Sequence, residues 1–148
     1  MNIVKRLDQY DDNCVYFCEP IKNNIMNDGY FIRIIYSTPL FMLNGIYIAI
    51  NINHITIEKY YNKFKCIFDI NIHKDLIEKI HLIEENIIKK INIKNKIPQY
   101  KIHEQLKNGN IKIFSDNSDK ITNTFLLKIA GIWETDTYYG LTYKFIKV

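Results

Sequence analysis

The chain has 148 residues, of which 47% are hydrophobic, and carries a formal net charge of +4. This length and composition predict a single domain, residues 1–148, with its own buried core, and they do not suggest two domains. The positive charge suits a polyanionic partner such as nucleic acid. Isoleucine, asparagine, lysine and tyrosine are also abundant, as an AT-rich coding sequence favours, so the lysine excess has two explanations, function and coding bias.

The cysteines and the apolar segments bear on the compartment. Cys14, Cys18 and Cys66 are odd in number and cannot all pair within the chain, which indicates an intracellular, reducing compartment. Residues 1–10 contain no apolar run typical of a signal peptide. The longest apolar region, 31–52, is interrupted by Arg33, Pro39 and other polar residues, so neither a transmembrane helix nor a membrane partner is expected.

The first half of the chain reads mainly as strands. Residues 13–18 predict a short first strand, and the β-branched and aromatic residues 30–36 predict a second one that Ser37-Thr38-Pro39 ends. Residues 40–43 and the alternating segment 46–52 flank Asn44-Gly45, the dipeptide typical of a hairpin turn. These features predict a hairpin centred on Asn44-Gly45.

One long helix follows. Helix and strand patterns compete over residues 56–70, and a strand over 63–69 is favoured. Residues 73–91 predict an amphipathic helix because apolar residues recur at steps of three and four, namely Leu76, Ile80, Ile83, Ile87 and Ile91. Residues 99–107 predict a short second helix that ends at Asn108-Gly109.

The last part of the chain again reads as strands. Ile111 and Ile113 begin one, residues 115–123 predict a polar loop, and Phe125, Leu127 and Ile129 alternate with other residues in the next strand. A polar turn and a final strand over 141–146 close the chain. Strands on both sides of one long helix predict an α+β, mainly β fold: a small antiparallel barrel with the helix inserted between its two halves.

No motif for catalysis or for a metal stands out. Cys14 and Cys18 lack the second close ligand pair of a zinc site, and they are better explained as packed structural residues. His73 and His81, with Glu78, Glu84 and Glu85 nearby on the predicted helix, fit a solvated charged face better than a metal or acid–base site. Neither a nucleophile signature nor a glycine-rich phosphate loop is present, so we expect a protein that is not an enzyme and needs no cofactor.

Basic and aromatic residues are interleaved on the predicted strands. Proteins that hold single-stranded nucleic acid use this mixture, because lysines follow the phosphates and aromatic rings stack on bases of any sequence. The other reading is ordinary sheet residues, since Tyr and Phe are common in strands. The candidate phosphate contacts are Lys63, Lys65, Lys112, Lys128 and Lys144; Arg33 would contact phosphate or a base face; and Tyr47, Phe114 and Tyr143 are the candidate stacking residues.

A second basic feature is the segment 89–107, where lysines outnumber the single acidic residue Glu104. It is either an edge that contacts phosphates or a solvated helix end, where lysine suits the negative end of the helix dipole.

The closing segment is densest in position-specific residues. It contains Gly131-Ile132-Trp133, a polar turn, and then Tyr139-Gly140-Leu141-Thr142-Tyr143-Lys144. Together with the Ser37-Thr38-Pro39 break and a helix before the Ile111–Ile113 strand, it resembles small OB-fold-like proteins, predicted to bind single-stranded DNA, of large nucleocytoplasmic DNA viruses. The resemblance implies an OB-like domain, a role in viral replication, repair or packaging, and a viral factory or a virion as the location. Trp133 itself is expected to be mainly structural.

Two functions therefore remain open from the sequence. The first is sequence-nonspecific binding of single-stranded DNA, with RNA as the other polymer that such a surface would fit. The alternative is a structural or virion-associated module that contacts a protein partner or self-associates and does not bind nucleic acid.

Overall fold

The computed structural model describes residues 4–23, 29–61, 63–114 and 124–147, and these form an α+β, mainly β fold. The predicted polar loop 115–123 lies outside the described residues. The strands are β1 (Lys5–Arg6), β2 (Val15–Phe17), β3 (Ile21–Asn23), β4 (Gly29–Ser37), β5 (Met42–Asn44), β6 (Ile46–Asn51), β7 (Thr56–Tyr60), β8 (Lys63–Ile67), β9 (Ile97–Gln99), β10 (Asn110–Phe114), β11 (Thr124–Glu134) and β12 (Tyr138–Lys147). The helices are α1 (Lys74–Ile91), α2 (Lys101–Lys107) and two 3-10 turns, Leu7–Gln9 and Asp12–Cys14.

The described strands form two open sheets and not the closed barrel that the sequence predicts. The larger sheet runs β1-β6-β11-β12-β9, and β4 lies beside β11 and carries β2, β3 and β5. The smaller sheet runs β10-β8-β7. Two edge pairings, β1 with β6 and β12 with β9, are parallel, so the larger sheet is mixed and not purely antiparallel.

Strand β11 changes its neighbour part of the way along. Residues 124–129 pair with β6 and residues 131–134 pair with β4, with a register shift between Ile129 and Gly131. Ile129 and Ile132 are both fully buried although they are three residues apart, because a bulged residue reverses which face the following side chains take. Ala130 is therefore the bulge.

The predicted hairpin at Asn44-Gly45 is wrong. Strand β5 pairs with β4, whereas β6 pairs with β11, so the chain bends at Gly45 and passes from one neighbour to the next. Gly45 has a φ of +97°, and a Cβ there would lie 3.0 Å from the carbonyl oxygen of Ile129. The dipeptide thus marked a position that needs glycine, but the strand partners are set by long-range packing.

Helix α1 matches its prediction. Ile77, Ile80, Ile83, Ile87 and Ile88 are buried, while Leu76 and Ile91 pack at the edge of the core. The helix ends at Asn92, whose left-handed backbone is typical of a helix C-terminus. Among the described elements, it follows eight strands and precedes four in the chain. None of the described helices is long and apolar enough to cross a membrane.

The core is built largely from isoleucine on both sheets and on α1. Cys66 is buried within it, and Cys14 and Cys18 are half-buried and not joined by a disulfide. The predicted final hairpin is confirmed: β11 and β12 pair from Phe125 opposite Lys147 to Glu134 opposite Tyr139.

Candidate nucleic-acid interface

A groove of about 860 Å³ opens where the two sheets meet beside α2. Lys65 comes from β8, Lys112 from β10, and Tyr143 and Lys144 from β12, so four of the predicted contact residues share it. Of the described residues that line this main groove, four are lysines, with Lys101 as the fourth, and one, Glu104, is acidic. The main groove is therefore a concave surface with a surplus of positive charge.

Helix α2 supplies the opposite wall. Lys101, Glu104, Gln105 and Asn108 line the groove at steps of three, four and seven residues, whereas Ile102 and Leu106 are buried on the other side. This polar stripe was not predicted from the sequence, although the four-residue spacing of Ile102 and Leu106 among polar residues is the pattern that indicates it.

Two smaller hollows continue from the main groove. The first, about 210 Å³, shares Tyr143 and Lys144 with the main groove and adds Lys128. The next, about 270 Å³, shares Lys128 with the first and adds Arg33 and Phe31. Lys144 and Lys128 each line two neighbouring hollows and so connect the three into one surface. Five cations along this surface form what we call the basic strip: Lys65, Lys112, Lys144, Lys128 and Arg33.

Strand register places cations of the basic strip directly opposite one another. Lys128 faces Lys144 across β11 and β12, and Tyr47 faces Lys128 from β6. The Lys128 Nζ lies 5.4 Å from the centre of the Tyr47 ring. Like charges directly opposite destabilise a sheet, so this row of one ring and two cations is better suited to a bound anion than to an empty surface.

The smaller sheet contains a second like-charged pair. Lys65 faces Lys112 across β8 and β10, and Glu58 faces Lys65 from β7 on its other side. Glu58 offsets part of the repulsion, which makes the Lys128–Lys144 pair the more telling of the two.

Of the predicted residues whose side chains are described, Tyr47 and Lys63 do not line these three hollows. Lys63 is exposed on β8, two residues before Lys65 and on the same face of the strand, but it does not line the main groove. Phe114 ends β10 opposite Lys63, and its side chain lies outside the described part of the structure.

Tyr143 lines the main groove but its hydroxyl is engaged. The Oη donates to Gln105 Oε1 at 2.6 Å and lies 3.3 Å from the Lys101 carbonyl oxygen. Its ring meets Phe145 edge to face at 5.8 Å. Burial, together with the nearby carboxyls of Glu84 and Glu104, raises the pKa of Tyr143 to about 12. The hydroxyl therefore holds the Tyr143 ring against α2 and remains protonated at neutral pH.

Phe31 and Trp133 lie over glycines on the outer face of the larger sheet. A Cβ at Gly131 would come within 2.6 Å of the Phe31 ring, and a Cβ at Gly140 would come within 3.0 Å of the Trp133 ring. The two glycines of the closing segment therefore make room for aromatic rings from neighbouring strands. Trp133 is half-buried, and this packing agrees with a structural role, although it does not close a barrel.

The helix side chains that the sequence predicts as a solvated face are in fact partly buried. Glu84 is fully buried, and its carboxyl oxygens accept hydrogen bonds from the backbone N–H groups of Ile102 and His103 at the start of α2, both 3.0 Å long. His73 is also buried, and its Nε2 lies 3.1 Å from the Asn53 carbonyl oxygen. His81 pairs with Glu85 at 2.7 Å and stacks on His103 with ring centres 3.8 Å apart. Glu84 and the stacked pair His81–His103 join α1 to α2, and α2 carries one wall of the main groove.

The buried carboxyl of Glu84 should make stability depend on pH. Its pKa is raised from 4.5 to about 7, mainly by burial; the two backbone N–H groups partly oppose the rise, and the charges of Glu104 and Glu85 contribute to it. Because the pKa is higher in the folded state, the stabilising contribution is present below about pH 4.5 and is lost as the pH rises through 7. We expect the free energy of unfolding in urea to fall between about pH 5 and 8, and the fall to be smaller in Glu84→Gln.

The comparison with Glu84→Gln is needed because burial lowers the pKa of His103, with His81 and Lys107 adding to the effect. That shift gives the opposite pH dependence, but it is common to both proteins. An equal fall in the wild type and in Glu84→Gln would show that Glu84 is not the group responsible.

The lysine run of residues 89–107 divides between different roles. Lys101 enters the main groove, Lys96 pairs with Glu134 at 2.5 Å, and Lys90 donates to the Asp12 carbonyl oxygen at 2.8 Å. Lys89, Lys94 and Lys107 are exposed. The run is therefore not one phosphate-binding edge.

Comparison of the chain with protein-family models, with curated proteins and with solved structures gives no match, so the basic strip and the main groove are the guides to function.

Proposed function

We propose that this protein binds single-stranded DNA without sequence specificity along the basic strip. The observation that carries the proposal is the cross-strand row of Tyr47, Lys128 and Lys144, which continues into the main groove. Two opposed lysines beside a ring provide what a strand with alternating phosphates and bases requires. The same surface would accept RNA, since none of these contacts depends on the sugar.

In this proposal the phosphates follow the basic strip from Arg33 to Lys65. Bases stack on rings that border it, and the described candidates are Phe31, Tyr47 and Tyr143. Each stacked base contributes about 1–3 kcal/mol, so two or three rings would supply substantial affinity. Lys63 and Phe114 extend the proposed contacts beyond the main groove.

The resemblance of the closing segment supports an OB-like relationship and a role in viral replication, repair or packaging. Strand β4 is consistent with that relationship, because its first half pairs with β11 and β3 while its second half pairs with β2 and β5. A strand that serves two sets of neighbours is common at the corners of small barrels.

A fluorescence anisotropy titration with labelled oligothymidine tests the proposal. We expect binding at low salt that weakens as salt is added, with a slope of about −3 to −4 in log affinity against log salt if all five cations of the basic strip neutralise phosphates. A duplex of the same length should compete less well, because its bases are not accessible for stacking. Absence of binding at low salt, or binding that salt does not weaken, would overturn the proposal.

One observation favours the alternative, a protein-interaction module. Leu40 and Met42, at the turn between β4 and β5, are 91% and 68% exposed. Exposed apolar side chains at a turn are suited to contact another protein or a second copy of this chain. A concentration-dependent increase in mass that Leu40→Ser abolishes, together with no DNA binding, would favour this alternative.

A further inference from the structure

The Tyr143 hydroxyl fixes the orientation of the Gln105 amide in the main groove. The Tyr143 hydroxyl has one hydrogen, and its oxygen lies 2.6 Å from Gln105 Oε1 but 3.3 Å from the Lys101 carbonyl oxygen. The shorter contact is the hydrogen bond, since O–H···O bonds are normally 2.5–3.0 Å long. The Gln105 carbonyl oxygen is therefore turned towards Tyr143.

That orientation determines what Gln105 presents to an occupant of the groove. A glutamine amide has one acceptor oxygen and an NH₂ group with two donor hydrogens. Because Tyr143 occupies the acceptor side, the side that remains for a ligand is the NH₂ group. Most of the other charged side chains that line the groove, including Lys101, Lys112 and Lys144, are also donors without acceptor capacity, and the carboxylate of Glu104 is the acceptor among them.

We infer that Gln105, held by Tyr143, makes the groove prefer thymine and uracil over adenine. Thymine and uracil present carbonyl oxygens and no amino group, so they can accept from the Gln105 NH₂ group. A free glutamine pairs with adenine through two bonds, one from its NH₂ group to N7 and one from the adenine amino group to Oε1, and the bond from Tyr143 competes for that Oε1. This inference rests on the proposed function and deepens it: binding remains tolerant of sequence along the basic strip, with a moderate preference set at one base position. In this reading Tyr143 positions Gln105 and Gln105 contacts the base.

The test compares three labelled strands of equal length: oligothymidine, oligodeoxyadenosine and an abasic deoxyribose-phosphate strand. For the wild type we expect oligothymidine to bind about 3- to 10-fold more tightly than oligodeoxyadenosine, the range that one hydrogen bond provides. Oligodeoxyadenosine also stacks on itself, so the ratio of the two affinities is compared between proteins and not interpreted alone.

Three variants identify the source of the ratio. Gln105→Ala removes the donor, and Tyr143→Phe removes the hydroxyl that orients it, so both should reduce the ratio to within about 2-fold of the value that strand stacking alone gives. Gln9→Ala makes the same substitution on the N-terminal 3-10 turn, outside the groove, and should keep the wild-type ratio. Thermal unfolding of each variant shows that it is folded under the assay conditions.

The outcomes separate the two proposals. If no strand binds to the wild type, the proposed function fails. If all strands bind but the ratio is unchanged by Gln105→Ala and by Tyr143→Phe, DNA binding stands and the base preference is overturned. A ratio that falls in both variants and not in Gln9→Ala supports the inference.

Discussion

Replacing Lys112 and Lys144 together by glutamate is expected to lower the affinity for oligothymidine by about 100-fold or more at about 0.1 M salt. Both side chains line the main groove, and Lys144 also faces Lys128 in the cross-strand row. The substitutions remove two phosphate contacts and place two negative charges beside the strand. The slope of log affinity against log salt should become shallower by about 1.4, because each phosphate contact on a single strand contributes about 0.7.

The matched control is Lys79→Glu with Lys94→Glu, which changes the net charge by the same amount. Both lysines are exposed, and neither lines the three hollows. We expect a loss of affinity of only a few-fold, since distant surface charges are screened over about 10 Å at 0.1 M salt. If the two double variants lost affinity equally, binding would follow net charge alone and the basic strip would not be a site.

Gly131→Ala is expected to destabilise the fold by about 2–4 kcal/mol. A Cβ at this position would overlap the carbonyl oxygen of Ile32 and would lie 2.6 Å and 2.9 Å from two carbons of the Phe31 ring. The Phe31 side chain can rotate away, but the Ile32 carbonyl oxygen is part of the backbone of β4, which pairs with β11 at this point. Relief of the overlap therefore requires β4 and β11 to separate.

Urea unfolding measures this effect, with Thr142→Ala as the control. Thr142 lies directly opposite Gly131 on β12 and is half-buried, so shortening it should cost no more than about 1 kcal/mol. In most strand positions alanine is more favourable than glycine by about 0.5–1 kcal/mol. A stability for Gly131→Ala equal to or above the wild type would therefore show that the close approach of β4 is not a constraint.

Local patterns predicted the elements well. The three- and four-residue steps of isoleucine specified α1, and alternation specified β11 and β12, because in both cases one face of the element is buried against the core. The pattern at residues 56–70 was ambiguous, and the structure resolves it into the two strands β7 and β8. These predictions depended only on which face of each helix or strand is buried and which is exposed to solvent.

The arrangement of the elements was harder to predict. Gly45 was recognised as a turn position, but whether β6 returns to β5 or joins β11 depends on packing among residues distant in sequence. The open sheets and their two parallel edges have the same origin. Single-sequence patterns carry no information on such pairings when several apolar strands could substitute for one another.

The candidate site was predicted in part. Lys65, Lys112, Lys128, Lys144 and Arg33 were identified because each occupies a solvent-facing position of a strand, and the fold brings these positions together in the basic strip. The contributions of Lys101 and Gln105 were missed because they depend on where α2 docks. Glu84 was assigned to a solvated face for the same reason, although it binds the first turn of α2.

The bulge at Ala130 has a consequence for how this surface can evolve. Before the bulge, odd-numbered residues of β11 point inward, and after it even-numbered residues do, as the buried pair Ile129 and Ile132 shows. Deleting Ala130 would remove the bulge and leave Ile129 and Ile132 two residues apart, so both would still point inward and Lys128 would still point outward. The chain can therefore lose the extra residue at Ala130 without exchanging the faces of β11, whereas a one-residue insertion or deletion elsewhere in this strand would exchange the buried and exposed faces of half of it in a single step.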